Sequence, residues 1–174
     1  MSNLLIFSFY PPASKAGGPV KSIESLFNEI CYEHKVFIVS PSCDIDGTYI
    51  DYTDYSLGSK YYPNIIINDN ISIIWLIRFG KKNCIDFIYL NSFFEFKNLF
   101  LVIAASFFLN VKIVLAPRGQ LEIGALKTKK CLKYFYIKIF TMFFSSRIDI
   151  YHSTSDEESQ NISRRLEIPS SKIS

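Results

Sequence analysis

The sequence predicts an α/β fold with a doubly wound, mainly parallel sheet. Short apolar runs recur along the chain, most of them closed by a turn-forming residue, and longer segments with apolar residues at helical spacing lie between them. Strands that alternate with helices in this way pack as a parallel sheet covered by helices. The 174 residues suit one domain, 1–174, with a sizeable core, and a hydrophobic content of 49% argues against a disordered chain.

Residues 4–9 read as a buried strand. Residues 10–19 form a loop with three prolines and two glycines, and a helix begins near Pro19, because proline suits a first helical turn. Val20, Ile23, Leu26, Phe27 and Ile30 share one face of it. Residues 35–40 are a second strand stopped by Pro41, so the chain opens with a β-α-β unit. The polar, tyrosine-rich stretch 44–70 is a long excursion at the ligand edge, or holds a short irregular strand. Residues 71–77 and 85–90 read as further strands, 93–109 as a buried helix and 111–116 as a strand. Residues 125–146 are helical with a break, and 148–152 form another strand. Ser155 opens a helix that runs to about Leu166, with Glu157 and Glu158 complementing the dipole in its first turn. Lys172, Ile173 and Ser174 resemble the first residues of one more strand. No internal repeat interrupts this Rossmann-like order.

Composition removes several function classes. A net charge of +3 is too weak to argue for nucleic acid. Cys31, Cys43, Cys84 and Cys131 show no CxxC spacing and the two histidines stand far apart, which argues against a zinc site; no metal and no cofactor are expected. Scattered single cysteines fit a reducing cytosol, where they serve as small core residues. No signal peptide is visible, and the longest apolar stretch, 99–109, is about half of what a spanning helix needs. The location expected is therefore cytoplasmic.

Four segments could carry chemistry. The loop 11–19 lies before a helix N-terminus, where Gly17 and Gly18 would let the backbone approach a phosphate. It is neither G-x-G-x-x-G nor a P-loop, which disfavours a nicotinamide dinucleotide, a P-loop nucleotide or a small nucleotide-binding domain acting alone. In VLAPRGQLEIGALK, Arg118 and Gly119 follow a strand, the edge at which ligands of parallel sheets bind. Arg118 suits an anion or sugar hydroxyls, and Glu122 could accept from a sugar. Asn91 ends another strand, although a turn residue bonded to its own backbone is the commoner outcome there. His152 could line the same cleft or be structural; His34 lies at the opposite edge and has no assigned role. Lastly, residues 127–144 place Leu132, Phe135, Tyr136, Ile139, Met142 and Phe143 on one face. Lys129, Lys130, Lys133 and Lys138 lie largely on the other, with Tyr134, Ile137, Phe140 and Phe144 among them. Basic plus aromatic is the pattern of a helix that lies on anionic lipid; cover by a second domain or a neighbouring helix is the alternative.

In order, these segments resemble the N-terminal domain of retaining GT-B glycosyltransferases of family 4. FYPPASKAGGPVKSIESLFNEI looks like the opening with its Gly-Gly loop, HKVFIVSPS like the second strand, and IDFIYLNSFF and LAPRGQLEIGALK like landmarks of the subgroup with Pro-Arg-Gly. YHSTSDEESQNISRRLEI resembles the last strand and helix, with one extra residue. Many relatives carry His-Gly where this chain has Arg118 and Gly119, so no histidine-based role is carried over to that position.

The resemblance implies an acceptor-binding domain that faces a second, C-terminal domain, which binds a nucleotide-sugar and carries a paired-glutamate motif. These 174 residues do not include that domain. Gly17 and Gly18 would then approach the donor diphosphate, and Arg118 and Gly119 would lie on the cleft floor. The expected partners are a nucleotide-sugar donor, held mainly by the other domain, a glycan or lipid-linked glycan acceptor, and a membrane surface met through residues 127–144. The expected function is the acceptor half of a sugar transfer in cell-surface polysaccharide synthesis, inactive alone and at the inner face of the cell membrane. No residue is assigned as catalytic. The alternative is a non-catalytic split or degenerate module that docks on a partner chain.

Overall fold

Phe7 and Leu90 stand side by side at the ends of two parallel strands, and the sheet extends outward from that pair. In a computed structural model describing residues 2–15, 17–53, 64–128 and 130–174, the strands are β1 (Asn3–Phe7), β2 (Lys35–Ser40), β3 (Asn64–Ile67), β4 (Phe87–Leu90), β5 (Lys112–Leu115) and β6 (Ile150–Tyr151). They form one sheet in the order β3-β2-β1-β4-β5-β6, and every pair is parallel. The chain is therefore α/β and Rossmann-like, as expected. The strand order reverses between β1 and β4, which makes that junction the switch point of the sheet.

Register brings the strand ends level. Phe7 pairs with both Val39 and Leu90, and Leu90 with Leu115, which pairs with Tyr151. Ser8, Asn91, Ala116 and His152 leave the sheet along one edge as a result, beside Ser40, the last residue of β2.

Helices cover both faces. Helix α1 (Gly18–Ile30) buries Val20, Ile23 and Phe27, and Ile23 and Phe27 pack with Ile6, Val36 and Ile38 of the sheet. The opposite face carries α2 (Ile73–Lys82), α3 (Phe96–Ser106), the short α4 (Ile123–Leu126), α5 (Lys130–Phe143) and α6 (Asp156–Leu166) over Leu5, Phe37, Val39, Ile88, Leu90, Ile113 and Leu115. At the far edge, Ile173 bridges Tyr151 in parallel, and Ser174 accepts a hydrogen bond from the Ser153 amide at 2.7 Å. Ile173 and Ser174 thus align with the sheet, whereas Lys172 closes a 3-10 turn, Ser170–Lys172, rather than opening a strand.

Three expectations are corrected. Residues 71–77 are not a strand: Ser72 caps α2 by accepting from the Trp75 amide at 3.2 Å. Seven residues dense in isoleucine show no readable period, and the helix declares itself only further on. There Trp75 stacks on Phe79 one turn later, Gly80 meets Leu109, and Lys81 and Lys82 complement the C-terminus. The strand of this region is β3, the short strand inside the stretch 44–70, of which 54–63 lie outside the described residues.

The second correction concerns α5. The break before it is present, between α4 and α5, but the helix is turned relative to the expected face. Tyr136, Ile137 and Phe140 are buried, and Phe144 packs on the core, whereas Leu132, Phe135, Met142 and Phe143 are exposed. Both faces are apolar, so the choice falls to the partner. Phe93, Phe96 and Phe100 offer rings that meet Tyr136, Phe140 and Phe144 edge-on or tilted. Lys129 lies outside the described residues. Third, the cysteines are not core residues: Cys43, Cys84 and Cys131 are exposed and Cys31 is half-buried. Cys84 occupies a left-handed turn after α2, and Cys131 lies on the outer face of α5.

Candidate functional site at the switch point

Arg118 adopts a left-handed backbone, φ 55°, and Gly119 continues it at φ 71°. For a non-glycine residue this conformation is uncommon, and it persists where surrounding contacts dictate it. Those contacts are present. Arg118 Nε donates to Asn91 Oδ1 at 2.6 Å, and Nη2 donates to the Tyr89 hydroxyl at 2.8 Å. Its Nη1 makes no hydrogen bond among the described residues.

Asn91 is the hub. Its Nδ2 donates to Ser8 Oγ at 2.9 Å and to the Pro19 carbonyl at 3.3 Å, and its backbone amide to the Phe7 carbonyl at 3.2 Å. It does not cap its own turn. It joins the end of β1, the first turn of α1 and the loop after β5 across the switch point. Gly17, at φ 66°, and Gly18 begin α1 beside it, exposed and with open space around them. Buried Asp44 holds the preceding loop by accepting from the Ser14 and Lys15 amides at 2.8 and 2.9 Å. The structure therefore brings Gly17, Gly18, Asn91 and Arg118 to one edge. Glu122 is exposed and lies across Gly119, where an added Cβ would come within 3.1 Å of its carboxylate. It faces a shallow pocket toward Glu157 and Arg164 of α6.

Sequence reasoning missed two supports. Glu158 is 2% exposed and accepts from the Gly119 amide at 2.7 Å and from the Thr154 amide and hydroxyl at 2.8 and 2.6 Å. Burial by itself raises its carboxyl pKa; the Thr154 and Gly119 hydrogen bonds and the Arg118 charge outweigh burial and hold it below the usual value. Gln120 accepts from the Phe93 and Phe94 amides at 2.8 and 3.0 Å, which ties the loop after β5 to the loop after β4. A Ser-x-x-Glu spacing at 155–158 is the one sequence signal that could have marked Glu158 as bonded rather than solvated. Glu158→Gln would turn an amide N–H toward a donor, so it should cost about 1–3 kcal/mol. Urea unfolding checks this, and an unchanged midpoint would remove Glu158 from the support of the loop.

His152 follows β6 and pairs through Nδ1 with the Tyr89 hydroxyl at 2.7 Å. Burial and the Arg118 charge lower its pKa, against the opposing pull of Glu158, and burial raises Tyr89 to about 12. Both side chains are therefore neutral near pH 7. A histidine whose folded pKa is depressed contributes stability above the unfolded value of about 6.5 and loses it as pH falls below. The urea midpoint should thus fall from pH 7.5 to pH 5, and fall less in His152→Asn; parallel profiles would contradict the coupling. His34 lies at the opposite edge, 2.7 Å from Ser2 Oγ.

A cavity of about 600 Å³ opens beside the hub, lined by Ser8, Phe9, Ser40, Glu95, Phe96 and Lys97 among others. Burial raises the Glu95 carboxyl pKa, opposed by the hydrogen bond from Asn98 Nδ2 at 3.0 Å. Apolar walls with a few convergent polar groups, at a switch point, are the usual setting for a small-molecule site. Among the described residues no cluster of histidine, cysteine or carboxylates could hold a metal ion, and no helix is long and apolar enough to cross a membrane. Compared with known proteins, the chain matches no family model and no curated protein.

Proposed function

We propose that this domain is the acceptor-binding side of a GT-B-type glycosyltransferase, which would move a sugar from a nucleotide-sugar to a glycan or lipid-linked glycan in cell-surface polysaccharide synthesis. The observation that carries the reading is Arg118. A guanidinium held left-handed at the strand ends, forked onto Asn91 and Tyr89, keeps Nη1 for a ligand oxygen. Planar, fixed donors of this kind suit hydroxyl pairs and phosphate. The cavity next to Ser8, which Arg118 reaches through Asn91 rather than by lining it, offers Phe9 and Phe96 with Lys97 and Asn98, a mixture of aromatic and polar groups that fits a sugar.

In this reading the donor nucleotide sits mainly on a second domain, and Gly17 and Gly18 approach its diphosphate from α1. The domain alone would bind acceptor without turnover. Chromatography of the domain on immobilised bacterial polysaccharides tests this. Retention that is lost in Phe96→Ala or Lys97→Ala supports it; passage through every glycan matrix would leave the acceptor role without basis.

A further inference from the structure

The Tyr89 hydroxyl is shared by two side chains. Arg118 Nη2 donates to it at 2.8 Å, and His152 Nδ1 lies 2.7 Å from it. A guanidinium only donates, so the hydroxyl accepts from Arg118 and keeps one proton to give. Tyr89 is 4% exposed, and no other acceptor meets its hydroxyl among the described residues. A buried O–H left without an acceptor costs about 1–3 kcal/mol, so the proton points to His152 Nδ1. That sets the tautomer: Nδ1 accepts, and the ring proton is on Nε2.

His152 Nε2 has no partner among the described residues, and neither has Arg118 Nη1. The buried side-chain atoms without partners there are Thr141 Oγ1 and Arg165 Nε, so Nε2 and Nη1 are both open to solvent. Glu158, the acid whose charge reaches His152, is engaged by Gly119 and Thr154. Two N–H donors beside one hydroxyl, with no free acceptor, suit a group that only accepts. A phosphoryl oxygen is such a group, and it also matches a guanidinium fork.

We propose that His152 Nε2 and Arg118 Nη1 together bind a phosphoryl oxygen of a diphosphate ester, with Tyr89 holding the tautomer that presents Nε2–H. This deepens the reading of Arg118 above and rests on it. A proton linkage follows. Arg118, from the loop after β5, and burial keep His152 neutral against the pull of Glu158 from α6; β4 contributes Tyr89, itself neutral. An anion on Nε2 offsets the Arg118 charge and favours the imidazolium, whose Nδ1–H then donates to the Tyr89 oxygen. Binding therefore takes up a proton and strengthens as pH falls.

NMR tests this. In the free domain at pH 7.5, nitrogen chemical shifts should show His152 protonated on Nε2; a proton on Nδ1 would overturn the proposal. Dimethyl diphosphate with one methyl on each phosphorus keeps its charge over this pH range. At millimolar concentration it should move the His152 signals, and it should bind about threefold tighter at pH 6 than at pH 7.5. His152→Ala should weaken it about tenfold, the effect of one charge-assisted hydrogen bond. His152→Gln keeps an N–H donor, so it should recover binding at pH 7.5 and lose the pH dependence. Melting curves show that each variant is folded. Equal binding by wild type and His152→Ala would overturn the role of His152. Retention of a glycan with no binding of the diphosphate would overturn the phosphoryl ligand and leave the acceptor reading in place. A nucleotide-sugar and a prenyl-linked diphosphate sugar separate the two sources: the one that gains over the dimethyl ester supplies the diphosphate.

Discussion

Phe140→Ala should destabilise the domain by about 3–5 kcal/mol, whereas Phe135→Ala, five residues earlier on the same helix, should change it by less than about 0.5 kcal/mol. Phe140 is fully buried and meets Phe93 at 5.0 Å between ring centroids, with an interplanar angle of 78°, while Phe135 is exposed. Removing the Phe140 ring forfeits its transfer from water and leaves a cavity that α3 and α5 can only partly close, because their other rings are interlocked through Tyr136 and Phe144. A domain of this size is stable by only about 5–15 kcal/mol, so the substitution removes a large share. Urea unfolding of the two variants side by side reads it. The opposite ranking would mean that α5 packs on the face suggested by its sequence period.

Arg118→Ala should leave the fold within about 1–2 kcal/mol of wild type and abolish ligand retention at the switch point. Only two of the hub's hydrogen bonds are lost, since Asn91 keeps Ser8 and Pro19, and Tyr89 keeps His152. In the proposed site a ligand oxygen would lose a charge-assisted hydrogen bond from a fixed cation, worth about 1.5–3 kcal/mol, or about ten- to a hundredfold in affinity. Arg118→Lys should not rescue. A lysine keeps the charge but cannot fork onto Asn91 and Tyr89, and its flexible stem gives no reason to hold φ at 55°. Paired measurements separate the effects: an unfolding midpoint close to wild type together with lost binding supports the assignment, and binding retained in Arg118→Ala would remove it.

Much of the sheet was legible in the sequence because its strands are buried on both faces. Leu4 to Phe7 within the run 4–9 and Phe87 to Leu90 within the run 85–90 are continuously apolar, and such runs need no period to be recognised. Helix α2 was not legible, since Ile-Ile-Trp-Leu-Ile satisfies strand and helix alike and only the Ser72 cap and the Leu109 contact decide. For α5 the sequence offers two apolar faces, and the aromatic rings of α3, 30 to 40 residues earlier, select between them.

The site was legible residue by residue and not as an assembly. Asn91 and Arg118 each stood out as strand-end residues. Their bond to each other depends on register across β4 and β5 and on a positive φ that an arginine does not announce. Glu158 looked, like Glu157, to be an acid that complements a first helical turn, and its burial against Gly119 is a tertiary fact. The cavity beside the hub draws on β1, β2 and α3 with their flanking loops, so no single motif could have marked it.

Calorimetric titration of the domain with nucleotide-sugars, beside titration with the glycan that its matrix retention identifies, tests the central claim most directly. An acceptor-side domain should give saturable heat with the glycan, lost in Arg118→Ala, and no binding of nucleotide-sugar tighter than about millimolar. Micromolar binding of a nucleotide-sugar to this domain alone, with none of the glycan, would contradict it.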